Sequence, residues 1–391
     1  MSDITVKHKQ HDGTVINTFR PENLAFTLNK GENGPHDISY ELSRAQVSPD
    51  MIGPYRTDFE LIDNSTFGPV TIMSGIHTMY SMASNEEHVK IAGKGWLHYF
   101  ERRFWPFDGS DPNLWARKVG TLSVATLGDP PTDFAYYTQT PVDSMVVMKD
   151  LLNVLQLFDP VNTLDYTYSL ANIGHTIDTF GVSNLDTENI LSKFQFLAQQ
   201  DPGMFDFWMD NNKVMRRAAP HRYNVNVWNT PSLAEKVFDS TDTNTDGVFY
   251  VSFTNTGPDA TRVLGYGQSQ SSTLASVRQY NPASATYRLL ESEASFDSII
   301  DRNQVIGLTR NKLLFGVNPV HEIEVTVVPE AITNFWTRFQ PGVAIWVTAD
   351  LEGHTIDSAQ EIVSIDGTSD NQGNLTAAFK LNQIYQYHAE S

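Results

Sequence analysis

The sequence predicts a mainly β fold with α+β inserts, in which two antiparallel, barrel-like β domains are joined by two inserted domains. Three observations carry that prediction. Apolar and polar residues alternate through much of the first 93 residues and again beyond His321, with the period of half-buried strands. Between these regions apolar residues recur at helical spacing. The period changes at Gly93, Gly203 and Gly316, which places a first β domain at 1–93 and a helix-containing insert at 94–203. The second β domain then comprises 204–240 with 316–391, and a mixed insert fills 241–315.

In the first region the texture from Thr14 onward is that of strands and turns. Tyr55, Thr57, Phe59 and Leu61 alternate with Arg56, Asp58 and Glu60, and Val70, Ile72, Ile76, Thr78 and Tyr80 lie in runs broken at Gly68-Pro69 and Ser74-Gly75. Val89 and Ile91 then alternate with His88 and Lys90. From there the chain reads Gly-Lys-Gly-Trp-Leu-His-Tyr-Phe-Glu-Arg-Arg-Phe over 93–104. Gly93 and Gly95 are expected to turn the backbone out of a strand and into a short helix ended by Pro106. On that helix Trp96, Leu97, Phe100 and Phe104 share an arc of ~100°, the pattern of a core-facing stripe. Arg103 falls at the border of the stripe, where a guanidinium must find a partner, and is expected to anchor rather than to catalyse.

The next helix is predicted over Val142–Phe158, with Met145, Val146, Leu151, Leu152 and Leu155 as its stripe, Asp143 or Ser144 as its cap and Asp159-Pro160 as its end. Another is predicted over Asp186–Gln199, capped by Asp186 or Thr187. Between Asp143 and Asp210 ten acidic residues face only Lys149 and Lys193, the composition of a solvated acidic surface. Phe205, Phe207 and Met209 alternate before Asp210-Asn211-Asn212, and a return leg runs from Val214 to Arg217, which predicts a hairpin. Lys213, Arg216, Arg217 and Arg222 form the local basic cluster. It is expected to be a solvated hairpin edge, or to touch an acidic neighbour such as the Asp143–Asp210 stretch of a second copy. A helix is expected around Ser295–Arg302. Strands are expected through Ile323-Val325-Val327, through Val343-Ile345-Val347 after Pro341-Gly342, and through Leu375-Ala377-Phe379-Leu381.

Chemistry-bearing patterns are sparse. Lys plus Arg number 27 against 46 Asp plus Glu, a formal charge of −19, which argues against a tight grip on nucleic-acid phosphates or an anionic membrane. Cysteine is absent, which removes thiolate nucleophiles and Cys-ligated metal sites. The first residues lack the apolar core of a secretory signal, and no run approaches the ~18 apolar residues of a membrane helix, so neither export nor membrane insertion is expected. Asp242-Thr-Asn244-Thr-Asp246-Gly247 matches the first half of a calcium loop, but Phe253 stands where the bidentate Glu is needed, and a plain turn is expected. His77, His98, His175 and His221 fit no zinc-ligand spacing and are expected to be structural. No catalytic, cofactor-binding or metal-binding residue is assigned. The seven Trp and 15 Tyr could stack on sugars, and 46 carboxylates allow acid–base pairs, so a carbohydrate-binding or glycoside-hydrolysing β-protein is the alternative reading.

Three stretches nevertheless resemble one family. Pro54-Tyr55-Arg56-Thr57-Asp58-Phe59-Glu60-Leu61 is similar to a phrase common in the minor tail proteins of siphophages infecting actinobacteria. Val89–Phe104 resembles the strand-glycine-helix-Arg element of their tail-tip (baseplate) hub proteins, with Gly93, Leu97, Arg103 and Phe104 at its marked positions. His321–Asn382 resembles their terminal strands, including the Pro341-Gly342 turn. The resemblance implies β domains of the tail-tube type and a structural virion protein at the tail tip rather than an enzyme. It also implies a homotrimeric ring with a distal tail or tail-tube protein above and tape-measure, tail-tip or fibre proteins below. DNA would pass through the ring without being held, which the acidic charge suits.

Overall fold

The computed structural model describes residues 3–48, 51, 53–64, 68–84, 86–104, 134–138, 142–158, 164–174, 176–177, 180–183, 188–199, 205–218, 235–239, 248–256, 260–267, 275–280, 289–296, 302–317, 320–332, 334–351, 354–370 and 374–383. The chain forms two compact units, one from Met1–Tyr99, Asp206–Thr254 and His321–Ser391, the other from Phe100–Phe205 and Asn255–Val320.

Seven strands come first: β1 (Ile4–Gln10), β2 (Val15–Phe19), β3 (Glu22–Asn29), β4 (Asp37–Ser43), β5 (Thr57–Asp63), β6 (Val70–Ser81) and β7 (His88–Gly95). The short helix α1 (His98–Glu101) follows. Next come β8 (Phe134–Thr138), β9 (Val142–Asp143), α2 (Ser144–Phe158), β10 (Thr167–Ser169), β11 (Thr176–Ile177), β12 (Phe180–Ser183) and α3 (Ile190–Ala198). The chain continues through β13 (Asp206–Met209), β14 (Val214–Ala218), β15 (Glu235–Asp239), β16 (Val248–Thr256), β17 (Arg262–Gly267), β18 (Ala275–Tyr280), β19 (Glu291–Phe296) and α4 (Arg302–Val317). It closes with β20 (Val320–Val327), α5 (Phe335–Arg338), β21 (Ala344–Leu351), β22 (His354–Ser369) and β23 (Leu375–Gln383).

The first unit is built on one large sheet in the order β16-β20-β23-β22-β3-β4-β7-β6-β5-β1-β2, with β21 also paired to β22, and β15 to β21. Strands from both β regions read from the sequence lie in it, but the β13–β14 hairpin, expected in the second of them, stands outside this sheet. The two regions meet where β22 pairs antiparallel with β3, from Ser364↔Asn29 to Thr368↔Ala25. Alternation makes the core: Ile4, Val6 and His8 of β1 turn inward, as do Val89 and Ile91 of β7 and Ile323, Val325 and Val327 of β20. The apolar side chains among these join Phe26, Phe59, Phe335 and Phe379 in one continuous cluster.

In the second unit α2 buries Met145, Leu151, Leu152 and Leu155, as its spacing predicts, but Val146 of the expected stripe is only partly buried and Val147 and Met148 are buried instead. Asp143 caps the helix by accepting from the Met145 N–H (2.9 Å). Phe100 is fully buried there against Tyr166 and Phe194. β17 pairs antiparallel with β18 and parallel with β19.

Several expectations are corrected. The strand containing Val89 and Ile91 runs on through Gly95, so Gly93 and Gly95 are strand residues, and the helix after them is a single turn. Helix α3 starts at Ile190, later than expected, because Asn189 supplies the cap, its side chain accepting from the Ser192 N–H at 2.8 Å. Where a helix was expected at Ser295–Arg302, Glu291–Phe296 is a strand and the helix begins at Arg302. Strand β1 begins ten residues before Thr14, the expected start of β structure. The Pro106 helix stop, the Asp186 and Thr187 caps, Asp159-Pro160, the Asp242–Gly247 loop, His175, His221 and Arg222 lie outside the described residues.

Candidate functional site

The most concentrated polar arrangement in the first unit is centred on Lys30, the residue after β3. Gly31 follows it in a tight turn, and this position tolerates only glycine, because a Cβ there would stand 2.0 Å from the Phe207 carbonyl oxygen. That close approach lays the turn on β13. The Lys30 ammonium, 6% exposed, lies 2.6 Å from Glu361 Oε1, 2.8 Å from Glu32 Oε1 and 3.2 Å from Asp206 Oδ1. One cation thus ties together three stretches of chain: the β3–β4 connection, the β13–β14 hairpin and strand β22.

Burial alone would lower the lysine's pKa, but Glu361, Glu32 and Asp206 together hold it well above the ordinary lysine value. Glu361 is shifted the other way for a carboxylate. Burial raises it, Lys30 lowers it, and Asp206 and Glu32 raise it again. The two directions agree physically, since one positive charge outnumbered by three negative ones is stabilised by all of them while each carboxylate also meets two like charges.

The hairpin is fastened a second time at its tip. Asn211 Nδ2 donates to the Thr71 carbonyl (2.9 Å), and Ser74 Oγ lies 3.1 Å from both Asn211 O and Asn211 Oδ1. Trp96 Nε1 donates to the same Ser74 Oγ at 3.0 Å. The next residue but one, Lys213, sits in the left-handed region (φ 62°) and lays its ammonium 4.4 Å from the Trp96 ring centre and 3.7 Å from Asp58 Oδ2. His11 Nδ1 is 3.0 Å from the other oxygen of Asp58. Burial pushes the Asp58 carboxyl up, against the pull of Lys213 and His11. Between the two fastenings lies a cleft of about 260 Å³, bordered by Lys30, Asp206, Trp208, Asn211, Trp336 and Gln340. Of its acidic groups, Glu32 and Asp206 pair with Lys30 and Asp210 pairs with Arg216. Among the described residues no cluster of His, Asp and Glu is arranged to hold a metal ion.

The sequence-selected residues are distributed as follows. Trp96 and Leu97 are each 5% exposed and Phe100 is fully buried, but Phe104 is 52% exposed and makes an isolated bridge with Asn189 instead of joining a stripe. The one-turn helix explains the difference, since Phe104 lies beyond its end. Arg103 is half-buried, and its carbonyl accepts from the Ile190 N–H at 2.9 Å. Gly93 lies opposite His77, and a Cβ on it would fall 2.5 Å from the Phe59 ring. Lys213 joins the hairpin-tip cluster. Arg216 Nε donates to Asp210 Oδ2 (2.6 Å) within the hairpin, and Arg217 pairs across it with Phe207. Lys30, Asp206, Glu361 and Asp58 carry no local signal in the sequence, because their partners lie in distant segments.

Two solved tail proteins superpose on this chain over nearly its whole length. The tail protein from Neisseria meningitidis MC58 superposes with a TM-score of 0.57 at 11% identity, covering 97% of this chain and 96% of that one. Prophage MuSo2 43 kDa tail protein from Shewanella oneidensis gives 0.58 at 10% identity, covering 97% and 98%. This chain shares their fold. No protein-family model matches the sequence, and no curated protein matches it significantly.

Proposed function

We propose that this protein is a structural component of a phage-type tail, working as a hub that joins tail tube to tail tip. One observation carries the reading: two tail proteins share the fold over almost the whole of both chains. The site supports it too. Lys30 and Lys213 are spent on fastening segments to one another, which suits a part that must transmit load rather than turn over substrate. The finer features rest on the sequence resemblance. On this reading the β regions on either side of the β22–β3 seam are two barrel-like, tail-tube-type modules, and three copies close a ring. The ring contacts a distal tail or tail-tube protein above and tape-measure, tail-tip or fibre proteins below, and genome DNA passes through it without tight binding. Gly93, Trp96, Leu97, Phe100, Arg103, Phe104, Lys213, Arg216 and Arg217 are its proposed structural and assembly residues. Neither organism named above is an actinobacterium, so an actinobacterial siphophage host rests on the resemblance alone.

Light scattering on the purified chain tests the ring, with an expected mass about three times 43.9 kDa. Antibody labelling of tailed particles tests the location. A chain that stays monomeric at every concentration and labels no particle would remove this reading.

A further inference from the structure

The N-terminal half of the large sheet buries a hydrogen-bonded chain that no assembly role uses. His8 Nε2 lies 2.8 Å from Tyr40 Oη, which lies 2.9 Å from His77 Nε2. His77 Nδ1 is 2.9 Å from Thr57 Oγ1 and 3.3 Å from the Thr57 carbonyl, and Thr57 Oγ1 donates to the Gly53 carbonyl at 3.2 Å. His8 and His77 are both fully buried, and Tyr40 nearly so. The links cross from β1 to β4, β6 and β5.

Proton positions follow from the partners. A carbonyl can only accept, so His77 Nδ1 carries a hydrogen and its Nε2 accepts from Tyr40. Tyr40, having donated its one hydrogen, accepts from His8 Nε2–H. His8 Nδ1 is then a bare lone pair, and it is indeed the one buried ring nitrogen without a partner among the described residues. In this neutral state every hydrogen has an acceptor.

We propose that His8, Tyr40 and His77 form an acid-sensitive latch that holds the β1–β2 hairpin to the rest of the sheet when neutral and releases it on taking up a proton. Counting shows why. An added proton on His8 leaves Nδ1–H without an acceptor. Added to His77 Nε2, it leaves the Tyr40 hydrogen without one, and if Tyr40 turns to His8 the orphan moves back to His8 Nδ1. Every arrangement buries an unpaired donor together with a positive charge.

The described residues facing the chain are Phe19 of β2, Thr57 and Phe59 of β5 and Gly93 of β7. The inward carboxylate of β5, Asp63, sits opposite Ile4, four residues along β1 from His8, and accepts from Trp336 Nε1, while Lys7, Lys9, Asp58 and Glu60 occupy the opposite pleat of β1 and β5. Lys9 pairs there with Glu60, and Asp58 with His11 and Lys213. Glu41 and Lys94 also lie on the outer pleats, of β4 and β7. Burial, then His77, lowers His8 to about 3, and burial lowers His77 to about 4. The sign follows: between these values and the ordinary 6.5 the unfolded or opened chain binds more protons than the closed one, so stability is complete above 6.5 and is lost as pH falls. The β1–β2 hairpin is the piece to leave, because β2 is an edge of the sheet.

The test is hydrogen exchange of the full chain, corrected for intrinsic rates, from pH 7 to pH 4.5. Exchange over residues 4–19 should rise more than ~10-fold while β21–β23 stay protected. Each histidine removed should reduce the response, and His8→Phe with His77→Gln, which keeps an acceptor for Tyr40, should flatten it. If the double variant fails to fold, imidazole NMR of the unaltered protein decides alone. Both rings neutral at pH 6, with His8 as the Nε2–H tautomer, supports the latch. Either ring titrating near 6.5 in the folded protein, or unchanged protection of 4–19 down to pH 4.5, overturns it.

Discussion

The strands before and after the β22–β3 seam share a sheet and one apolar cluster, yet they bury different chemistry. On the N-terminal side the centre is polar, with two histidines, a tyrosine and a threonine linked in series. On the C-terminal side it is aromatic. Phe335, Phe339 and Phe379 meet edge-on at 5.1–5.6 Å between ring centres, Trp336 meets Phe335 edge-on as well at 4.6 Å, and its indole N–H donates to Asp63 at 3.0 Å. The Phe335, Phe339 and Phe379 rings are stabilised by area and carry no titratable atom. A polar centre also demands that donors match acceptors one for one, so it tolerates fewer rearrangements. One continuous sheet can thus have a permissive side and an exacting side.

The comparison can be broken by substitution. The largest effect is expected from Phe379→Ala, which empties the middle of the aromatic group and should cost about 3–5 kcal/mol, equally at pH 7 and pH 5. Denaturant titration at both pH values checks this, and a strongly pH-dependent loss would end the contrast. Lys30→Ala comes next. It leaves three carboxylates facing one another and should cost about 3 kcal/mol at neutral pH. Because Glu361 already binds a proton more readily than an ordinary glutamate, this loss should shrink as pH falls, opposite to the acid response of the histidine chain. Gly93→Ala should cost about 1–3 kcal/mol, since Phe59 and the strand opposite must shift to admit one methyl group. A thermal melt within a degree of the parent would show that the sheet yields there freely. Arg216→Ala is the smallest. Its ion pair with Asp210 is 44% exposed on the arginine side, and the loss should stay below ~1 kcal/mol.

How far the sequence reveals this molecule depends on whether the signal is local. Helix α2, the β13–β14 hairpin and the terminal strands are legible because a single stretch carries both the period and the turn residues. Strand β1 escapes because its third inward residue is His8, which reads as polar although it is fully buried. Gly93 misleads for a related reason. Glycine marks a turn or a close approach with the same letter, and only Phe59, 34 positions earlier, decides between them. Helix α4 is displaced from its expected place because Val305, Leu308 and Leu313 give a thin apolar face in an otherwise mixed segment. The Lys30 cluster could not be read at all, since its parts are as much as 331 residues apart.

That separation also has a price in time. Strand β3 leaves the ribosome 339 residues ahead of its partner β22, counted at the Thr27–Asp366 contact. At roughly 5–20 residues per second, β3 waits on the order of 20–70 s with its outer edge unpaired. A bare strand edge recruits other strands, including those of sibling chains on the same message. Closing so long a loop also delays the final docking step. The seam that unifies the sheet is therefore the point where nascent chains are most exposed to mispairing, and yield of soluble protein should respond to changes in Ala25–Asn29 more sharply than equilibrium stability does.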